Sequence, residues 1–200
     1  MSVARNTLVQ SSLTLGSRIL GMVRDILLIA KIGAGPIGDA WATAQQFPNL
    51  FRRIFAEGAF ASAFVPTYAR TLEADGAEAA RAVAQEALRV LFAATAVLTI
   101  LAQIFMPWVL LLIHGGQADD PESYSLAVLL TRITMPYLTF MAIAALLSGV
   151  LNSAERFILS AGAPTLLNLS LIPAAFVAPD AEGTALAAAM AYFVAGLLQA

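Results

Sequence analysis

The sequence predicts an all-α fold, a polytopic transmembrane bundle of six helices, and two observations predict it. Of the 200 residues, 60% are apolar and only 12% are charged, whereas a soluble domain carries about 25% charged residues. The apolar residues also arrive in long blocks, and a helix needs about 20 such residues to cross a bilayer. A soluble domain of ordinary size would need more polar surface than this chain offers.

Short polar or glycine-rich stretches separate the blocks. The predicted spans are approximately 8–32, 39–68, 88–113, 124–151, 157–177 and 184–200. Several contain proline, which transporter helices tolerate because neighbouring helices satisfy the freed backbone groups. The segment 69–87, rich in Ala and Glu, predicts a short amphipathic linker helix outside the bilayer. Because the last span is still apolar at Ala200, we expect the natural protein to continue.

The loops predict the orientation of the bundle. Cytoplasmic loops of membrane proteins are enriched in Arg and Lys. One side of the six spans carries five arginines and the other a single lysine, so the N-terminus is predicted to be cytoplasmic. These residues are Arg5, Arg70, Arg81, Arg89 and Arg156 against Lys31.

Composition and motifs exclude several classes of function. The net charge is −2 and the basic residues are dispersed, so no nucleic-acid surface is expected. With one histidine, no cysteine and no glycine-rich phosphate loop, the sequence predicts no catalytic residues, no metal site and no cofactor. The acidic run 119–122 lacks the regular spacing of a Ca²⁺ loop and is interpreted as a solvated loop. We therefore predict a membrane protein that is not an enzyme.

Charged residues within the first span are informative, because each costs at least ~2.5 kcal/mol at the bilayer centre unless it faces a cavity or a partner. At 3.6 residues per turn, the polar side chains of this span fall in one broad arc, and leucine and isoleucine cover the rest. The charged members of the arc are Arg18, Arg24 and Asp25. The pattern predicts a helix with lipid on one side and a polar environment on the other.

The second span carries a comparable polar face. Two such arcs on adjacent antiparallel helices predict a shared cationic pocket. A guanidinium matches phosphate oxygens bidentately, so phosphate or diphosphate attached to a lipid is the ligand that fits best. The residues of this face are Asp39, Thr43, Gln46, Arg53 and Glu57, flanked by Gln45, Asn49 and Arg52.

A purely structural role for these charges stays open. Arg24 adjoins Asp25, and Arg53 and Glu57 are four residues apart, so ion pairs within the bundle could fix the helix packing instead. Arginines near span ends could also extend to the membrane interface. Arg132, in the fourth span, is interpreted as an interfacial or packing residue.

Several motifs resemble one family. The most specific is the run Pro-Asn-Leu-Phe-Arg-Arg-Ile-Phe-Ala-Glu-Gly-Ala-Phe at 48–60. It is accompanied by the run 17–25, by Gly38-Asp39-Ala40 and by the segment 163–168. In these motifs, and over essentially its whole length, the chain resembles the MurJ (MviN) family of lipid II flippases.

This resemblance implies the N-terminal lobe, residues 1–200, of a transporter of the multidrug/oligosaccharidyl-lipid/polysaccharide (MOP) superfamily, whose second lobe is absent from this chain. It implies that the whole protein flips lipid II, an undecaprenyl diphosphate glycopeptide, across the bacterial inner membrane by alternating access, without a cofactor. Lipid II, membrane lipids and other cell-wall synthesis proteins are the expected partners. By the same resemblance Arg18, Arg24 and Arg52 bind the diphosphate.

Other residues of the two polar faces are assigned to gating or to the cavity wall. Asp39 matches a functionally important position of the family, and the remaining assignments follow from the polar faces themselves. The set is Asp25, Asp39, Asn49, Arg53 and Glu57.

Two other functions stay open on the sequence. The first is a related transporter, either a flippase for another polyprenyl-linked glycan or an exporter of the MATE type. The second belongs to another class: a non-transporting membrane scaffold for cell-wall synthesis.

Overall fold

The computed structural model describes residues 3–56, 59–113, 120–153 and 157–200, and within them the chain forms nine helices and no strand. The all-α prediction is confirmed. Glu57, Asp119 and Arg156 lie outside the described residues, as do the side chains of Arg5 and Arg52. The helices are α1 (Val3–Ile32), α2 (Pro36–Ala56), α3 (Ala59–Ala74), α4 (Gly76–Ile113), α5 (Pro121–Thr134), α6 (Tyr137–Ser153), α7 (Phe157–Leu171), α8 (Ala174–Val177) and α9 (Ala181–Gln199).

Proline breaks account for two of the three helices by which the described part exceeds the six predicted spans. Pro136 separates α5 from α6, where the amide of Leu138 donates to the carbonyl of Met135 at 2.9 Å in a tighter turn. Pro173 separates α7 from α8. Within the described ranges, three helical stretches are long and apolar enough to cross a membrane: Gly76–Ile113, Pro121–Ser153 and Ala181–Gln199. Six crossings stay a prediction.

The predicted linker helix over 69–87 is wrong. α3 runs to Ala74, and the break follows at Gly76, whose φ of 85° is the left-handed conformation that glycine adopts without strain. No glycine or proline then interrupts the chain before Pro107, so α4 continues as a single helix of 38 residues. Residues 76–87 are therefore the first part of the long helix α4, whereas residues 69–74 form the end of α3.

A tight glycine turn joins α1 to α2. The amide of Gly33 donates to the carbonyl of Ile29 at 2.9 Å and ends α1, and Gly33 and Gly35 have φ values of 78° and 116°. A Cβ on Gly38 would press into the carbonyl oxygen of Gly33, so the start of α2 approaches this turn too closely for a side chain. The turn therefore fixes the relative orientation of α1 and α2.

The bundle is centred on α9, which contacts α1, α2 and α5 to α8. α1 packs mainly on α7, and α2 packs mainly on α5 and α6. Aromatic rings connect α2 and α6 to α9: the ring centroids of Trp41 and Tyr192 are 6.2 Å apart, and those of Tyr137 and Tyr192 are 5.4 Å apart. Small buried residues let α9 approach its neighbours, as is common between membrane helices; they are Ala185, Ala188, Ala189, Ala195 and Gly196.

Acidic loop residues cap helices at one end of the bundle. The carboxylate of Asp120 accepts from the amides of Glu122 and Ser123 at 3.3 and 3.5 Å, and that of Asp180 accepts from Gly183 at 3.3 Å. An oxygen at this position satisfies amides that have no partner within the helix. Part of the acidic run thus starts α5.

Gly196 provides a test of this packing. A Cβ at Gly196 would lie 2.7 Å from Cδ2 of Phe140 and 2.9 Å from its Cβ, so Gly196→Ala should destabilise the bundle by about 1–3 kcal/mol through overpacking. The measurement is thermal unfolding in detergent micelles. Gly16→Ala is the control, since a Cβ there meets nothing within 4 Å. Equal melting temperatures for the two variants would contradict the observed packing of α6 against α9.

Candidate functional site

One face of α1 is packed against the bundle and carries Arg24. Ser17 and Leu28, seven residues before and four residues after Arg24 on this face, are only 8% and 1% exposed. The spacing of four and seven places these three residues on one stripe, and α7 is the main neighbour of α1. The guanidinium of Arg24 therefore points at the bundle and not at lipid.

Arg24 is held by an amide from α7. Its Nη1 donates to Oδ1 of Asn168 at 2.8 Å. The other end of the same amide is held as well, because Nδ2 of Asn168 donates to the carbonyl of Ser17 at 2.8 Å. Asn168 is itself 5% exposed. The amide is thus fixed at both ends, and its acceptor oxygen is presented to Arg24.

Asp25 is the second partner of Arg24. Nε and Nη2 of Arg24 donate to Oδ1 of Asp25 at 2.9 and 2.7 Å. The Arg24 side chain is 14% exposed and that of Asp25 is 49% exposed. The ion pair that the sequence left open is therefore present, and its carboxylate side is accessible from outside the bundle.

A second stripe of α1 is open. Arg18, Met22 and Ile29 lie on it and are exposed, and Met22 and Ile29 are 58% and 65% exposed. Arg18 forms no hydrogen bond or ion pair with the residues that the structure describes. An exposed arginine with no partner among the described residues presents its charge to whatever covers this face.

A groove of about 460 Å³ continues this open face onto α2. One end of the groove lies at the glycine turn, and its lining includes one arginine and three side-chain amides. The lining includes Ile29 and Ile32 of α1 and Trp41, Gln45, Gln46, Asn49 and Arg53 of α2. The indole Nε1 of Trp41 is buried and has no acceptor among the described residues.

The predicted site residues that the structure describes occupy four places. Asn49 and Arg53 line the groove, whereas Arg18, Arg24 and Asp39 do not. Asp39 is exposed in the first turn of α2. The side chain of Arg52 and the whole of Glu57 fall outside the described part of the chain, so neither can be placed. The single polar arc expected for α1 is two faces, with Arg24 on the packed face and Arg18 on the open one.

Asn168 and Trp41 were missed as site residues by the sequence reasoning. Asn168 is the single side-chain amide in α7, a helix without charged residues, and it closes the motif 163–168 that contributed to the family resemblance. A buried amide in an apolar helix needs hydrogen-bond partners, which is a usable signal. From the sequence, Trp41 is interpreted as a core aromatic residue, because no neighbouring residue indicates another role.

Chemically, the arrangement can bind an anion. Arg18 and Arg53 are exposed and form no ion pair with another described residue. Arg24 donates hydrogen bonds to one carboxylate and to one neutral amide. Guanidinium groups provide several donors for phosphate oxygens, and the amides along α2 can pair with polar groups attached to that anion. Among the described residues, no group of three or more His, Cys, Asp or Glu side chains could hold a metal ion.

Comparisons with known proteins point to one family. The sequence profile described as "Lipid II flippase MurJ" matches residues 29–200. The chain is 42% identical over 207 residues to a probable lipid II flippase MurJ of Rhizobium tropici, covering 100% of the chain and 38% of that protein. It is 40% identical over 200 residues to lipid II flippase MurJ of Burkholderia cenocepacia, covering 100% of the chain and 39% of that protein.

The fold agrees with a solved structure. The chain matches "Lipid II flippase MurJ, inward closed conformation" with a TM-score of 0.77 and 26% identity, covering 96% of the chain and 41% of that protein. The chain therefore spans about two fifths of the length of the proteins it matches. On the extent of the profile match and the identity to these relatives, the chain belongs to the MurJ family of lipid II flippases.

Proposed function

We propose that this chain forms the first lobe of a lipid II flippase of the bacterial inner membrane, and that its open α1–α2 face is one wall of the transport cavity. The relatives it matches are named lipid II flippases. The observation that carries the proposal is the pair of arginines on α1: Arg18 is exposed on the open face, and Arg24 on the packed face is held by a neutral amide and by a half-exposed carboxylate. Such cations on a membrane helix suit an anionic lipid headgroup.

The two arginines would share the diphosphate of the lipid. Arg18 is exposed and can reorient toward a phosphate, whereas Arg24 is already held at a fixed angle by Asn168. Asp25 binds two nitrogens of Arg24 and is half exposed. An approaching phosphate can take over one of these donors, so the ion pair keeps Arg24 in place while the site is empty.

The groove along α2 would receive the polar part of the headgroup. Gln45, Gln46 and Asn49 supply both donors and acceptors, as sugars and peptides require. Asp39 lies 14 residues before Arg53, about 21 Å along the helix. At that distance it is suited to a contact that closes the opposite end of the cavity.

A second candidate function within transport is the flipping of another polyprenyl-linked glycan, or drug export of the MATE type. The α1 arginines suit any diphosphate lipid, so competition between lipid II and other lipid-linked sugars for the purified protein separates these functions. A non-transporting scaffold for cell-wall synthesis is the candidate of another class. It predicts that Arg18 tolerates glutamine without loss of function.

The N-terminus is proposed to be cytoplasmic. Arg70, Arg81 and Arg89 are exposed near the end of the bundle at which α3 passes into α4, whereas Lys31 lies at the other end, beside the glycine turn. This distribution supports the orientation because basic residues accumulate on the cytoplasmic side.

The orientation can be tested directly, because the chain contains no cysteine. A single cysteine introduced as Glu182→Cys should react with a membrane-impermeant maleimide in intact spheroplasts. A single cysteine introduced as Glu78→Cys should react only after lysis, since it lies at the opposite end of the bundle. Both positions are exposed, so access to the reagent decides the result. The reverse pattern of labelling would contradict the orientation.

Loss of the α1 charges should abolish transport. In cells that depend on this protein, Arg18→Gln or Arg24→Gln should stop lipid II translocation, because a neutral amide cannot replace a charge-assisted pair with phosphate. Arg18→Lys should retain partial activity, since it keeps the charge and loses the planar fork. The measurement is the appearance of lipid II on the outer leaflet, alongside the amount of protein in the membrane.

Arg89→Gln is the matched control for these variants. Arg89 is exposed and lies 3.7 Å from Glu86 on the same helix, and surface pairs of this kind contribute little. Its replacement should leave transport unchanged. Normal translocation by a well-inserted Arg18→Gln protein would refute the proposal.

Asn168 should act through Arg24. Asn168→Leu removes the acceptor from Arg24, and a lost hydrogen bond to a charged group costs about 1.5–3 kcal/mol, or roughly ten-fold or more in lipid II affinity. Titration with fluorescent lipid II measures this loss. In a double-mutant cycle with Arg24→Gln, the two losses should be far from additive. Additive losses would show that Asn168 only stabilises the fold.

A further inference from the structure

A second groove lies on another side of the bundle and contains an arginine. It measures about 440 Å³ and is formed by α4, α5 and α9. Its exposed walls are apolar: Leu129, Met190 and Phe193 are 46%, 55% and 37% exposed. The polar members of the lining are Gln103 and Arg132.

This groove faces away from the α1–α2 site. On α5, the residues turned toward the bundle are Leu130, Thr131 and Thr134, each buried, and the hydroxyl of Thr134 donates to the carbonyl of Ala44 in α2 at 3.3 Å. Leu129 and Arg132, three residues apart, lie on the other side of the same helix. The proposed transport cavity therefore does not account for Arg132.

Arg132 has no acceptor within the described part of the chain. Its Nε is buried without a hydrogen-bond partner, and no carboxylate in the described ranges pairs with its guanidinium. The side-chain amide of Gln103 donates to the backbone carbonyl of Arg132 at 2.8 Å, which joins α4 to α5 and leaves the cation unpaired. The C-terminal dipole of α5, equivalent to about half an elementary charge, does not neutralise a full guanidinium.

The depth of Arg132 decides which occupant fits. It lies 11 residues after Pro121, about 16 Å along a helix, and Gln103 lies 10 residues before Ile113, about 15 Å along α4. A hydrocarbon core of about 30 Å places both near its middle. Lipid phosphates lie at the edges of that core, whereas a membrane-spanning helix can bring a carboxyl group to its centre.

We propose that the α4–α5–α9 groove is an interaction surface for a transmembrane helix of a partner protein that carries one Asp or Glu near its middle, paired with Arg132. The apolar walls from Leu129, Met190 and Phe193 would receive the flanking side chains of that helix. An unpaired charge at the bilayer centre is unfavourable and marks an interaction site. Charge complementarity therefore selects the partner, and the groove shape selects a helix.

The test uses a synthetic transmembrane peptide of leucine and alanine with one central Glu, and a matched peptide with Leu in its place. The protein, as produced from its native gene, carries a photo-crosslinking residue at Met190 and is reconstituted in phosphatidylcholine vesicles with either peptide. We expect the Glu peptide to crosslink about ten-fold more efficiently than the Leu peptide. Arg132→Met, of similar length and apolar, should remove the difference, and Arg89→Met should preserve it.

Three results would overturn the proposal. Equal crosslinking of the two peptides would show that the carboxyl group is not recognised. A product formed only within the protein itself would show that its own chain fills the groove. The third result is that phosphatidylglycerol displaces the Glu peptide and that the protein retains this lipid only when Arg132 is present. It would assign the groove to an anionic lipid.

Discussion

The structure depends on how a membrane helix accommodates a guanidinium group. Arg24 cannot face lipid without an acceptor, and its acceptor comes from α7, through an amide that is anchored in turn on the backbone of α1. This network links residues 144 positions apart in the chain. It fixes the rotation of α1 against the bundle, and that rotation leaves Arg18 on the open side.

The turn that follows α1 then determines the position of α2, which forms the other side of the groove. Gly33 and Gly35 adopt conformations that other residues rarely adopt, and Gly38 approaches the turn without room for a side chain. α2 consequently leaves the turn beside the open face of α1 but packs mainly on α5 and α6. The divergence of the two helices creates the groove that Arg53 and the amides line. The packing and the shape of the candidate site are thus set by the same few residues.

Much of this architecture could be predicted from the sequence, and the failures have physical causes. Composition and block length predict the all-α bundle. Helical periodicity places Arg18 and Arg24 in one broad arc of α1, yet they are six residues apart, or about 120° around a helix. Only tertiary contacts show which of the two faces packs. Asn168 was missed because periodicity describes one helix at a time and its partner is on another. The predicted linker helix is wrong because a single glycine, Gly76, divides the segment 69–87 between α3 and α4.

The most direct test of the account is the distance between α1 guanidinium groups and the diphosphate of bound lipid II. Solid-state NMR can measure ³¹P–¹⁵N dipolar dephasing between lipid II and protein labelled at arginine side chains. The account predicts dephasing that decreases in Arg18→Gln and in Arg24→Gln and persists in Arg89→Gln. Bound lipid II with no dephasing, or with dephasing unchanged in both α1 variants, would contradict it.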